Sequence, residues 1–426
     1  MVSIGNSTLP GVQTTVDSAT NAGVNVGASA QIALVGQADL ANGTASADTV
    51  YEVRTPVKAR DLFGSGSPLA ENIVDALTEG AYPVYAAAPA AQSVTAEDLG
   101  TSQSGTLANA PVSEDPADVT FTVDGSDQTT VKTLEDPTTL TLNAGETAYN
   151  PVTGDYAHDV TPSTSSDVDY DYFDYTTAIQ AVETEEAETV DFLGVLSEDS
   201  GAVQEAHDAV KRMEDNYNFA VAVAGADEYI ADTSAFSNSY DSSRIQLLYP
   251  ARDSDGVSII GAYLGLRAAL GINNSPIFKR LQTVKALSYT LSTTDQENLV
   301  AAKVVPVADE SAGARIVEDL TCVADANSAE DNMRQVLHRL IVDYTTEIVN
   351  EVSEKFIGEL HTQAARNALR SSIVARLGGL MDLNAITGYV VTVEEVDAMT
   401  ASVDVGIDTI DPLRNINATV TAGAVA

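Results

Sequence analysis

The sequence predicts a multidomain chain of mixed class, α/β followed by α+β, with an inserted small all-β domain and an extended N-terminal arm. Three observations carry this. Strand-like and helix-like runs alternate from Thr189 to Leu270, as they do where helices cover the faces of a parallel sheet. The last third opens on a long apolar stripe at helical period and closes at strict period two. Residues 91–200 carry 23 Asp and Glu against one basic residue, Lys132, a shift that marks a separate, solvent-facing unit. The resulting units are an arm at 1–27, an N-terminal α/β part at 28–91, an acidic insertion at 92–188, an α/β domain at 189–303 and a C-terminal domain at 304–426.

The arm is small, polar and rich in Gly, Thr and Ser, with Val12, Val16, Val24 and Val26 sparsely placed. It reads as extended chain with no core of its own. Ile32–Val35 is a buried-strand run and Val50–Val53 a second strand. Ser67 then caps a helix with Pro68 at its first position, running to Gly80, and Tyr82–Ala86 is a third strand. The loop Gly64-Ser65-Gly66-Ser67 lacks the Lys and the spacing of a phosphate loop, so a tight turn feeding an N-cap explains it.

Ala86–Ala91 reads as a linker. Within the insertion, Val119–Val123, Thr129–Leu134 and Thr138–Leu142 are short strand candidates between turn signals. The tract Asp167–Tyr175 sets Asp at alternate positions but lacks the Gly and closing Glu of a calcium loop, and is read as a solvated acidic surface. Beyond it, Val190–Leu196, Phe219–Ala224 and Arg244–Tyr249 are strands, with helices at Ala202–Tyr217 and Ser258–Leu270. No GxGxxG follows any of these strands, so the nucleotide that often occupies such a sheet is not predicted.

From about Val304 a short strand-like run leads into Asn332–Leu360, where Met333, Val336, Leu337, Leu340, Ile341 and Tyr344 begin a stripe at steps of three and four. Thr362 caps a second helix, Gln363–Leu377, which Gly378-Gly379 is expected to stop. Arg366 and Arg370 stand i, i+4 on it and share a face. Ser402–Asp408 then alternates strictly, placing Val403, Val405 and Ile407 on one side. After the turn at Asp411-Pro412 the alternation resumes through Ile416 and Val420. Two strands alone are marginal in water, so these valines and isoleucines, with Val12 and Val16 of the arm, are expected to pair with sheets of neighbouring copies.

Composition narrows the function. The chain of 426 residues is 44% apolar but only 6% aromatic and has no Trp, so its cores must be built of Ala, Val, Leu and Ile. A formal charge of −41 excludes a nucleic-acid surface, which needs clustered Lys and Arg. Such self-repulsion suits concentrated salt, where the Debye length falls to about 3 Å, and with lysine scarcer than arginine it points to a hypersaline, haloarchaeal setting. The N-terminus carries neither the basic nor the apolar region of a secretory signal, and no apolar run is long enough to span a membrane, so a soluble chain made in the cytoplasm is expected. Cys322 is the only cysteine, and His158, His207, His338 and His361 fall into no metal-binding or catalytic spacing. No cofactor, metal or catalytic residue is predicted.

The order of short motifs resembles the sheath proteins of contractile phage-type tails. The N-terminal part has Ile32–Ala38, the block Phe63-Gly64-Ser65-Gly66-Ser67-Pro68-Leu69 and Gly80–Ala86. The middle has Leu248-Tyr249-Pro250, Ser258–Tyr263, Asn274-Ser275-Pro276 and Leu291–Leu299. The C-terminal part has Ala312-Gly313-Ala314-Arg315, the Asn332–Ile341 helix and the closing strands. The sequence departs from the family where Ile316 rather than Thr follows Arg315, and where the Pro usual before the Ser258 block is missing. The resemblance implies a middle domain similar in fold to subtilisin but with no triad to place. It also implies a homo-oligomer of stacked hexameric rings around a tail tube protein, with baseplate and tail terminator proteins as further partners. Contraction of the lattice would then drive the tube through a host envelope, with no nucleotide hydrolysed. On this reading the subunit assembles in the host cytoplasm and resides in the virion tail, with the acidic insertion outermost and Arg366 and Arg370 facing the tube. A halophilic surface-layer or adhesion protein, the sheath of a headless injection device and an α/β enzyme are the competing readings. Tubes or rings, planar lattices, or compact monomers in the electron microscope separate sheath, surface layer and enzyme.

Overall fold

The computed structural model describes residues 30–184, 190–271, 274–327, 330–412 and 414. The arm with Val12 and Val16, and the terminal Ile416 and Val420, lie outside them.

The N-terminal part contributes β1 (Ile32–Val35), β2 (Tyr51–Val53), α1 (Pro56–Phe63), α2 (Pro68–Glu79) and β3 (Val84–Ala87). Both helices begin in the same way. Thr55 and Ser67 accept from backbone N–H groups of the first turn, and Pro follows at the first helical position, where its missing N–H costs nothing.

Eight strands make the insertion: β4 (Ala91–Gly100), β5 (Ser104–Thr106), β6 (Val119–Val123), β7 (Ser126–Asp127), β8 (Thr129–Lys132), β9 (Glu146–Tyr149), β10 (Asp155–His158) and β11 (Ser166–Phe173). They form two four-stranded sheets, β5-β10-β9-β8 and β4-β11-β6-β7, around a core that includes Val119, Phe121, Tyr149, Val168 and Tyr170. In β11 the Asp tract alternates as a strand must. Val168 and Tyr170 turn inward, and Asp167, Asp169 and Asp171 lie toward solvent. Thr138–Leu142 is not a strand: Pro137 opens a single 3-10 turn there, and Asp136 caps it by accepting from Thr138 N at 2.9 Å. The β structure closes at Phe173. The following α3 (Thr176–Glu183) returns to the main core through Ile179 and Val182, so the last part of 92–188 packs with the α/β domain.

The rest of the α/β domain comprises β12 (Phe192–Val195), α4 (Ser200–Asp215), β13 (Val221–Gly225), β14 (Ile245–Tyr249), α5 (Ile260–Leu270), α6 (Thr293–Ala301), β15 (Val305–Ala308) and β16 (Arg315–Ile316). These strands and the N-terminal three form one eight-stranded sheet, β16-β15-β14-β13-β12-β1-β3-β2. The six inner strands are parallel, and antiparallel β2 and β16 close the edges. The segments 28–91 and 189–303 therefore share a core, and the two strands after position 304 complete it. Helices α1, α2 and α5 cover one face and α3, α4 and α6 the other. Gly261 and Gly265 let α5 lie directly on α2; a Cβ at either would stand 2.3 or 2.4 Å from the carbonyl oxygens of Asn72 and Ala76.

The C-terminal lobe consists of α7 (Val336–Glu354), α8 (Gln363–Met381), β17 (Ile386–Glu395) and β18 (Ala401–Thr409). Helix α7 joins two cores. Val336 and Leu340 pack into the sheet domain, and Leu337, Ile341 and Ile348 pack against α8 and the hairpin. Helix α8 runs through Gly378-Gly379 for a further turn, because Leu377 and Leu380 bury their side chains there. That apolar gain outweighs the helix cost of two glycines, about 1 kcal/mol each.

Candidate assembly surfaces

Doubly wound sheets take their ligands outside the carboxyl ends of the parallel strands. In this chain that position is occupied by its own insertion. Gln37, which follows β1, donates to Val112 O at 3.0 Å and accepts from Glu114 N at 2.9 Å. Arg252, which follows β14, holds Glu198 in a fork, with Nε to Oε1 at 3.0 Å and Nη2 to Oε2 at 2.6 Å. Its Nη1 reaches Glu114 Oε2 at 2.9 Å. Burial would push the Glu114 carboxyl up, but Arg252 and Lys132 outweigh it and hold that carboxyl below its ordinary value.

A second buried cluster ties the C-terminal lobe to the sheet. Arg244, at the start of β14, forks onto Asp343 of α7 at 2.5 and 2.8 Å and reaches Glu214 at 2.7 Å. Arg339 binds the same Asp343. Glu347 lies one helical turn on, and burial, with Asp191 and Asp343 nearby, pushes its carboxyl up to about 8. A third pair, Arg267 and Asp319 at 3.1 Å, is wholly enclosed.

Cys322, His207 and His158 are enclosed. Cys322 is buried and its thiol is pushed up to about 12 by that burial. His207 lies edge-on to Tyr240, and burial pushes it down to about 4. His158 shares a 2.8 Å hydrogen bond with Thr147 inside the insertion. Among the described residues no group of His, Cys, Asp and Glu could hold a metal ion, and no helix is long and apolar enough to cross a membrane.

The surface is more informative. Among the described residues thirteen large apolar side chains are exposed, and eight of them lie between Ile357 and Ile410. The C-terminal lobe therefore carries most of the exposed large apolar side chains among the described residues. Its hairpin pairs β17 with β18 in register, Tyr389 with Ile407, Val391 with Val405 and Val393 with Val403. Val403, Val405 and Ile407 pack against the α8 core from this position. Their expected pairing with another copy is thus corrected on one edge: β17 of the same chain already holds it, because both strands carry the same alternation and a short turn joins them. No strand lies against the outer edges of this hairpin among the described residues. The exposed Leu360, between α7 and α8, and Met399, at the hairpin tip, were not singled out from the sequence.

Arg366 and Arg370 both lean on the hairpin. Arg366 is buried and donates to Glu395 at 2.9 Å and to Gln363 at 2.9 Å, so its guanidinium is engaged within the chain. Arg370 is exposed, and its Nε donates to Val391 O at 2.8 Å. Among the described residues it is the one arginine without a carboxylate partner of its own chain.

No protein-family model matches the chain, and no curated protein matches it in sequence. Solved structures do. The helical sheath of the anti-feeding prophage in its contracted state superposes with a TM-score of 0.59 at 14% identity, over 98% of this chain and 99% of that one. The sheath tail protein from Desulfitobacterium hafniense superposes at 0.55 and 11% identity, over 95% of this chain and 100% of that one. The sheath tail protein from Listeria innocua superposes at 0.54 and 14% identity, over 91% and 96%. At such identities the likeness is one of fold, and it runs nearly the whole length of the chain.

Proposed function

We propose that this chain, which has the fold of tail sheath proteins, is the structural subunit of a contractile tail sheath. Copies stack as hexameric rings around an inner tail tube, bounded by baseplate and tail terminator proteins, and contraction of the lattice drives the tube through a host envelope. The observation that carries this is the end-to-end likeness to an assembled sheath, insertion included. The buried ion clusters support it: they fasten insertion, sheet and C-terminal lobe into one body that can move as a unit. The excess of acid, −41 on each chain, supports a particle assembled and working in concentrated salt, as in a haloarchaeal host.

The hairpin supplies the joint. Its open edges suit strand addition by the arm around Val12–Val16 of one neighbour and the terminal segment around Ile416–Val420 of another. Each main-chain hydrogen bond contributes about 0.5–1.5 kcal/mol net, so a few make a firm yet hinged link between rings that slide. Removing residues 1–20, or those beyond Asp411, should leave folded monomers by sedimentation that form no tubes; normal tubes from either truncation would refute the exchange. Arg370 is the tube contact on this reading. Arg370→Glu should keep self-assembly while reducing co-sedimentation with the tube protein about tenfold. Unchanged co-sedimentation would place the tube elsewhere.

A further inference from the structure

Charge is distributed unevenly along this chain. No Asp or Glu occurs between Asp255 and Asp295, although the chain carries 62, and Lys279, Arg280 and Lys285 fall inside that gap. Its first part is α5, largely buried. Its second part, residues 276–288, forms a ledge across the helical face that contains α2. Leu281, Val284 and Leu287, spaced by three, point into the main core and are at most 5% exposed. Phe278 N donates to Ile316 O at 2.8 Å and Leu281 N to Ala314 O at 2.9 Å, fixing the ledge to the β16 edge of the sheet. Thr283 N donates to Glu79 Oε1 at 2.7 Å, fixing it to α2.

These anchors turn the remaining side chains outward. Phe278 is 57% exposed, with the Arg315 guanidinium 4.3 Å from its ring centroid. Glu310 takes up Arg280 at 2.5 Å and Arg315 at 2.8 Å. Lys279 and Lys285 are exposed and have no carboxylate partner among the described residues. Two unpaired ammonium groups on one ledge with an open aromatic ring are out of place on so acidic a molecule, unless an anionic surface comes to them.

The same chain carries that surface. On β11, Asp167, Asp169 and Asp171 lie on the solvent side of the strand, and Asp98 of β4 stands opposite Asp167. No ion pair joins these acids to the ledge within one chain among the described residues. We propose that the ledge Phe278–Lys285 is a docking surface for the acidic β4–β11 face of a second copy. Two chains of charge −41 repel wherever acid meets acid, so a contact that brings acid to the unpaired lysines is the orientation their charges favour. Supply is matched, because every copy brings both halves. The inference rests on the reading of the chain as a self-assembling subunit, and the test separates the two.

Full-length protein in isotopically heavy and light forms is mixed at equal concentration and coupled with a carbodiimide. This reagent joins a lysine amine to a carboxylate it touches as an amide, taking up the water lost. The ledge predicts heavy–light peptides linking Lys279 or Lys285 to the Asp167–Asp171 strand. It also predicts that Lys279→Glu/Lys285→Glu, which touches no intramolecular pair, weakens self-association about tenfold by sedimentation. Swapping charge on the other side, with Asp169→Lys/Asp171→Lys, should restore association between the two variants. Ledge lysines linked only elsewhere, or an unchanged association of the lysine variant, would overturn the proposal. The same samples are viewed by electron microscopy. Tubes without the linkage keep the sheath reading and remove the ledge, whereas the linkage without tubes keeps the ledge contact and removes the sheath.

Discussion

At the residue scale, buried charge makes stability depend on pH. Glu347 is the clearest test. Its folded carboxyl titrates near 8 because burial and the neighbouring Asp191 and Asp343 resist a further negative charge. A carboxyl raised above its unfolded value favours the folded state at low pH and loses that advantage as pH rises from about 4.5 to about 8. Glu347→Gln should therefore be about 3–5 kcal/mol more stable than the parent at pH 8.5 and little different at pH 4.5, measured by denaturant unfolding at constant salt. An equal gain at both values would mean that the carboxylate is solvated. None of this was legible in the sequence. Among 62 acids, nothing local marks Glu347 out, because its environment is assembled from α7, β14 and the segment before β12.

At the element scale, what local signals encode was legible. The caps at Thr362 and Ser67, the period of α7 and the alternation of β18 appear where sequence placed them. What depends on distant contacts was not. The Gly378-Gly379 stop failed because Leu380 finds a core. The Thr138–Leu142 strand failed because Asp136-Pro137 makes a turn. The insertion reads in sequence as a separable acidic module, yet Arg252 binds it to β12 and β14. Arg252→Met should cost about 3–5 kcal/mol, since it leaves Glu198 and Glu114 buried without their shared cation, and Lys132 reaches only Glu114. A loss under 1 kcal/mol in urea unfolding would show that the junction is wet. The candidate surface was half legible. The alternation that puts Val403, Val405 and Ile407 on one side was local and readable, but the partner strand β17 and the engagement of Arg366 by Glu395, from the far end of β17, depend on distant contacts.

At the scale of the whole molecule, the central claim is that copies of this chain assemble into a contractile tube. The fold, the open-edged hairpin and the apolar exposure of the C-terminal lobe all bear on it, and the charge sets the conditions. At 0.1 M salt the Debye length is about 10 Å, long enough for −41 on each neighbour to be felt across a lattice, whereas at 1 M it is about 3 Å. The direct measurement is electron microscopy of the purified full-length protein in molar salt and after dialysis to 0.1 M. Tubes of regular width built from sixfold rings, present in high salt and dispersed after dialysis, are the predicted result. Compact monomers or planar lattices in high salt would contradict the sheath, and tubes indifferent to dialysis would contradict the role given to charge.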